Sequence, residues 1–122
     1  MSIYSVKHIS SSSANIKAWA LDIPVHGAEA TIVHGRLNIC GWAISHQNMP
    51  LHLVVKYNNQ TYSYPFSVAR PDVIRAVFQE PAEPHSHLRC GFSVQIIAAA
   101  EIKLGFEHDG LIEWMATLTR AQ

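Results

Sequence analysis

The sequence predicts an all-β protein: an antiparallel β-sandwich of seven or eight strands with one short helix. Three observations carry this. Apolar residues recur at every second position over short runs, as Leu51, Leu53, Val55 and Tyr57 do, the period of a strand with one buried face. Turn residues punctuate the runs, among them Pro24, His34-Gly35, Asn58-Asn59 and His108-Asp109-Gly110. A single stretch changes period: behind Pro71, the residues Val73, Ile74, Val77 and Phe78 recur at helical spacing.

In chain order, residues 1–15 read as a poorly ordered leader or linker, because Ser10-Ser11-Ser12-Ser13 has no periodic apolar pattern. Within it, Ile3, Tyr4 and Val6 have the composition to extend a sheet edge. The sandwich domain then spans 16–122. Trp19, Leu21 and Ile23 alternate with Ala18, Ala20 and Asp22, and Pro24 ends that strand. Ala28 to Val33 is a short strand, and His34-Gly35 turns into Arg36 to Ile44, which is apolar on both faces from Ile39 onward, as a central strand would be. Gly41 in its middle marks a bulge or a close approach by a backbone or ring.

Asn58-Asn59 joins two strands through residues that tolerate positive φ. The returning strand carries Tyr62, Tyr64, Phe66 and Val68, and because proline cannot donate to a ladder, Pro65 either places it at a sheet edge or faces outward there. The helix at 71–78 lies across the end of the sandwich. Cys90, Phe92, Val94 and Ile96 form the next inward row, then Ile102, Leu104 and Phe106, and finally Ile112, Trp114, Ala116 and Leu118.

Composition narrows the functional classes. A chain of 122 residues is one domain able to bury a core without staples. Nine basic and nine acidic residues give zero formal charge, which supplies no field for nucleic acid or an anionic membrane. No window approaches the ~18 apolar residues of a membrane span, and the N-terminus lacks a basic region followed by an apolar run, so the expected location is cytoplasmic. In that setting Cys40 and Cys90 are expected as free thiols, although a sandwich could bring them near enough to bridge.

The stretch from Gly41 to Phe92 carries three short motifs: Gly41-Trp42-Ala43-Ile44, Arg70-Pro71-Asp72-Val73 and Gly91-Phe92. In order and spacing they resemble a small β-sandwich module attached to bacterial glycosyltransferases and other surface-polysaccharide proteins. The resemblance covers about fifty residues. It implies a non-catalytic accessory domain near bacterial glycan biosynthesis, without a nucleotide-sugar domain, and it assigns no binding residue. The wider likeness, to immunoglobulin-like sandwiches, is one of architecture alone, because Trp42 follows Cys40 by only two positions.

Read physically, the motif residues Trp42, Arg70, Asp72 and Phe92 are structural. Asp72 at a helix start can accept from unpaired N–H groups or pair with Arg70 or Arg75, and Trp42 and Phe92 lie in apolar alternation as core rings do. The candidate carbohydrate-binding residues are Tyr57, Asn58, Asn59, Tyr62 and Tyr64, where aromatic faces for stacking on a pyranose adjoin amides for its hydroxyls. Cross-strand tyrosine pairs stabilising the hairpin are the alternative.

Eight histidines are many for this length. His85-Ser86-His87, with Glu83 or His108, has metal-ligand chemistry, but nothing in the spacing fixes a third ligand, so no metal or cofactor is expected. The carboxylates Asp72, Glu80, Glu83, Glu101, Glu107, Asp109 and Glu113 are scattered, and no nucleophile elbow, phosphate loop or His-Glu-x-x-His occurs. The reading is therefore a non-enzymatic module whose partner is an oligosaccharide or polysaccharide. Its alternative is a structural or docking module that meets a protein partner, or a second copy, through the edge at 61–68.

Overall fold

The computed structural model describes residues 3–10, 13, 15–46, 50–81 and 85–121. In chain order the elements are β1 (Tyr4–His8), β2 (Ile16–Ile23), β3 (Ile32–Val33), β4 (Arg36–Ser45), β5 (His52–Tyr57), β6 (Gln60–Pro65), α1 (Pro71–Phe78), β7 (Gly91–Ile97), β8 (Glu101–His108) and β9 (Leu111–Arg120). One sheet has the order β1-β9-β8-β5-β6. In the other, β4 pairs with β2 and the short β3 on one side and with β7 on the opposite side. All pairings between strands are antiparallel, and β6 sits at an edge, one of the two settings Pro65 allows. The all-β sandwich is thus the observed class, with nine strands among the described residues.

The strand beyond the expected number is β1. Within the stretch read as a leader or linker, residues 4–8 form the sheet edge that the composition of Tyr4 and Val6 allows: they pair with β9 from Tyr4↔Arg120 to His8↔Ala116. Tyr4 is fully buried, and its hydroxyl donates to the Ala99 carbonyl at 2.7 Å. The serine run lies partly outside the described residues, at Ser11 and Ser12, while the Ser13 hydroxyl accepts from the Ile16 N–H at 3.0 Å. The strand expected over 28–33 is shorter, Ile32–Val33, with Glu29 bridging back to Ile3.

The main core lies between the sheets, where Leu37, Ile39, Leu53, Val55, Ile96, Ile102 and Leu104 interdigitate. Phe66, Phe92 and Phe106 meet there in a ring cluster with centroids 5.5 to 6.0 Å apart. A smaller cluster forms on the other face of β4, where Ile44 and Trp42 pack with Val73, Ile74, Cys90 and Phe78. The double-sided apolar pattern of β4 has this cause: Ala43 faces the main core and Ile44 faces the helix. So α1 covers the outer face of the four-stranded sheet near the end of β4, rather than the open end of the sandwich. Cys90 belongs to this helix cluster and precedes the inward row of β7.

Three hairpins turn on pairs of left-handed residues: His34 and Gly35, Asn58 and Asn59, Asp109 and Gly110. Two expected inward rows change phase at bulges. Between Leu104 and Gly105 the register with β9 shifts, so Met115 and Ala116 are both buried, Ile112 is exposed and Trp114 is half-buried. A second shift, between Leu21 and Ile23, leaves Ile23 exposed. No helix among the described residues is long and apolar enough to cross a membrane.

Candidate functional site

The β5–β6 hairpin sets the position of the tyrosines and asparagines. Along β5, Leu53, Val55 and Tyr57 face the core, and their register partners on β6 include Tyr64 and Tyr62. Paired residues share a face, so the three tyrosines turn inward together. Tyr57 is buried and lies parallel to Tyr62 with ring centroids 5.0 Å apart. Burial, reinforced by Tyr62 and Tyr64, pushes the Tyr57 hydroxyl above its ordinary range. The Tyr62 hydroxyl donates to Gln60 Oε1, and the rings of Tyr62 and Tyr64 are half-buried against the main core.

At the turn itself Asn58 and Asn59 are exposed. They line a shallow concavity of about 540 Å³ with Lys56, Tyr57, Ala100, Glu101, Lys103 and Thr117. Of the five candidate residues, Tyr57, Asn58 and Asn59 share this depression, whereas Tyr62 and Tyr64 line the hairpin beside it. The additional polar groups come from β8 and β9, which the pairing Lys56↔Lys103 and Lys103↔Thr117 brings alongside. Alternation alone marks Lys56 and Lys103 as outward, each sitting between inward apolar residues. Their adjacency depends on β5 pairing with β8, some fifty residues away, and no local signal announces it.

Trp114 is the aromatic group that alternation misplaces. The bulge opposite Gly105 turns it to the outer face, where its indole lies over that glycine: a β-carbon on Gly105 would come within 2.9 Å of Trp114 Cε3 and 2.6 Å of the Glu113 carbonyl oxygen. The Lys103 ammonium stands 4.8 Å from the ring centroid, a cation–π contact. Lys103 therefore lines the depression with Asn58, Asn59 and Glu101 and also meets the Trp114 indole, which lies outside that lining.

The three motifs converge on the opposite sheet as one packing unit. Gly41 pairs with Phe92 and Trp42 with Gly91. Arg70 grips Asp72 bidentately, at 3.1 and 3.0 Å, and reaches Asp22 at 2.7 Å. The Arg70 guanidinium, donating to both Asp72 oxygens, holds that carboxyl below its ordinary range. Its Cγ also lies against Gly91, leaving no room there for a side chain. Arg70 is the residue at the helix N-cap and makes no side-chain cap bond, so these contacts tie the helix start to β2 and β7.

No family model, curated protein or solved structure matches this chain.

The histidine pair lies elsewhere again, packed on the helix. His85 and His87 flank Phe78 at centroid distances of 4.6 and 5.1 Å. His85 Nε2 is 3.1 Å from Glu80 Oε2, and its Nδ1 accepts from the His87 N–H. Of the two further ligands considered, Glu83 lies outside the described residues, and His108 is on β8 beside Glu113 at 3.5 Å. Among the described residues no group of three or more His, Cys, Asp or Glu side chains is placed to hold a metal ion. A second cavity, about 330 Å³, opens at this end of the sandwich between Ser45, Leu51, Phe66, His87 and Cys90. Cys90 packs in the helix cluster, and burial pushes its thiol up to about 11. Both cysteines are free, and Cys40 Sγ donates to Ser93 Oγ at 3.1 Å.

Proposed function

We propose that this chain is a non-catalytic accessory module that works beside bacterial surface-glycan biosynthesis and binds carbohydrate on the outer face of its five-stranded sheet. The observation that carries the reading is the concavity in which Asn58 and Asn59 adjoin Lys56, Glu101 and Lys103. Amide, carboxylate and ammonium groups together can donate to and accept from sugar hydroxyls. The motif resemblance supports the setting; the convergence of Gly41, Arg70, Asp72 and Phe92 into one packing unit fits a role for those residues in the fold rather than in the ligand site.

The test is a two-dimensional amide NMR titration of the labelled protein with neutral and charged bacterial surface oligosaccharides and nucleotide sugars. Shifts should cluster at residues 56–60 and 101–103. Asn58→Gly with Asn59→Gly removes the amides while keeping a turn that accepts positive φ, and should abolish those shifts with the remaining spectrum intact. Absence of shifts with every sugar at millimolar concentration refutes the assignment.

One observation favours a second reading, a docking module without a sugar ligand. Among the described residues β6 pairs with β5 alone, so its outer edge offers backbone groups to a partner strand. Concentration-dependent mass in light scattering, removed by a Ser63→Pro substitution, would rank that reading first.

A further inference from the structure

We infer that the saccharide taken by this face is anionic, held by a row of lysines that runs across the strands. This rests on the carbohydrate reading and adds the charge of the ligand. Successive register partners place Lys7 of β1 beside Thr117 of β9, Thr117 beside Lys103 of β8, Lys103 beside Lys56 of β5, and Lys56 beside Thr61 of β6. Paired residues point to one face, and the inward positions on either side, such as Val55, Leu104 and Leu118, are buried in the core. The row therefore lies on the outer surface, crossing all five strands.

Three of the four lysines in the sequence stand in this row. With zero formal charge over the whole chain, general basicity does not account for the clustering. Neighbouring strands lie about 4.8 Å apart, so Lys56 and Lys103 are like charges set directly opposite, an arrangement that destabilises a sheet. Among the described residues neither Lys7 nor Lys56 forms an ion pair. Among the described residues Lys103 forms no ion pair either: its ammonium lies over the Trp114 ring, and Glu101 shares the depression without pairing to it. The remaining lysine, Lys17, lies over Phe78 and outside the row.

An anionic group bound between Lys56 and Lys103 relieves the repulsion, and Lys7 can take a second one about two strand spacings, roughly 10 Å, from Lys103. Between them Thr117 offers a hydroxyl, while Asn58, Asn59 and Glu101 stand at the side of the row. That mixture suits a chain with spaced carboxylates and many hydroxyls. It does not suit a nucleic acid, whose duplex carries a charge every ~1.7 Å, far denser than lysines set one or two strand spacings apart.

The experiment compares three probes on the full chain by amide NMR: a hyaluronan octasaccharide, a neutral chito-oligosaccharide of the same length, and single-stranded DNA of equal charge. Hyaluronan should shift the amides around Lys7, Lys56 and Lys103, and its affinity should fall roughly tenfold when salt is raised about tenfold. Lys56→Gln with Lys103→Gln should weaken it by about tenfold or more, and Lys17→Gln should leave it unchanged. Equal binding of the neutral oligosaccharide overturns the charge inference and leaves the carbohydrate reading standing. No binding of either saccharide overturns both. DNA binding as tight as hyaluronan overturns the inference in favour of an unselective polyanion surface. The salt dependence of the unmodified chain decides the matter independently of how the double variant folds.

Discussion

Gly41 lies directly against the ring of Phe92, its partner in the β4–β7 register. A β-carbon at position 41 would come within 2.7 Å of Phe92 Cζ and collide with the Ala20 carbonyl oxygen behind it. The ring could tilt; the carbonyl belongs to the paired strand β2 and cannot yield without breaking the ladder. Gly41→Ala should therefore destabilise the fold by about 3 kcal/mol, near the upper end for overpacked cores, as read by urea denaturation. A loss below half a kilocalorie, within the range of ordinary surface changes, would show that the contact is relaxed in solution.

Arg70 should be worth less than its three hydrogen bonds suggest. Its side chain is 22% exposed, and those of Asp22 and Asp72 are 42% and 64% exposed, so solvent screens both pairs. Arg70→Gln should cost about 1 kcal/mol at neutral pH, and Arg70→Lys should recover only part, because an ammonium cannot reproduce the fork. The sign of the pH dependence follows from Asp72. Its carboxyl is held below the ordinary value of about 4, so the contribution is complete above that value and disappears as pH falls through the folded-state one. Denaturation series from pH 6 to pH 2 should show the gap between the two proteins closing at the acid end. A gap constant with pH would count against the pairing.

The cysteines should react at different rates. Cys90 is buried with its thiol pushed up to about 11, whereas Cys40 is half-buried on the outer side of β4. At pH 8 a disulfide reagent should modify one thiol of the native protein promptly and the second only after denaturant is added. Simultaneous modification of both in native buffer would contradict the packing of Cys90 under the helix.

Tyr4 should make the first nine residues indispensable. Tyr4→Phe removes only the bond to the Ala99 carbonyl and should cost about 1 kcal/mol. Tyr4→Ala also empties a fully buried site and should cost about 4 kcal/mol. A chain beginning at Ser10 exposes the edge of β9 and should be unfolded or aggregated by circular dichroism and light scattering. A truncated chain as stable as the full one would restore residues 1–9 to the status of a leader.

The sequence by itself determined the class, most strand positions, the helix over 71–78 and the places of three turns, with positive φ expected at Asn58-Asn59. Each depends on periodicity or on the φ preferences of Asn, Gly and Pro, which act within a few residues. Tertiary structure decided the rest. Tyr4 reads as part of a leader or linker with the composition to extend a sheet edge, and only the fold gives it β9 as a partner and the Ala99 carbonyl as the acceptor for its hydroxyl. Trp114 reads as a core ring until the bulge opposite Gly105 shifts the phase of β9 and turns the indole outward. Lys7, Lys56 and Lys103 are isolated charges in three separate segments, and only the strand order β1-β9-β8-β5 sets them in one row. Local preference fixes what a segment becomes, while pairing between segments distant in sequence is selected by the burial of a shared core, and so the charged outer face is a consequence of contacts that no single stretch encodes.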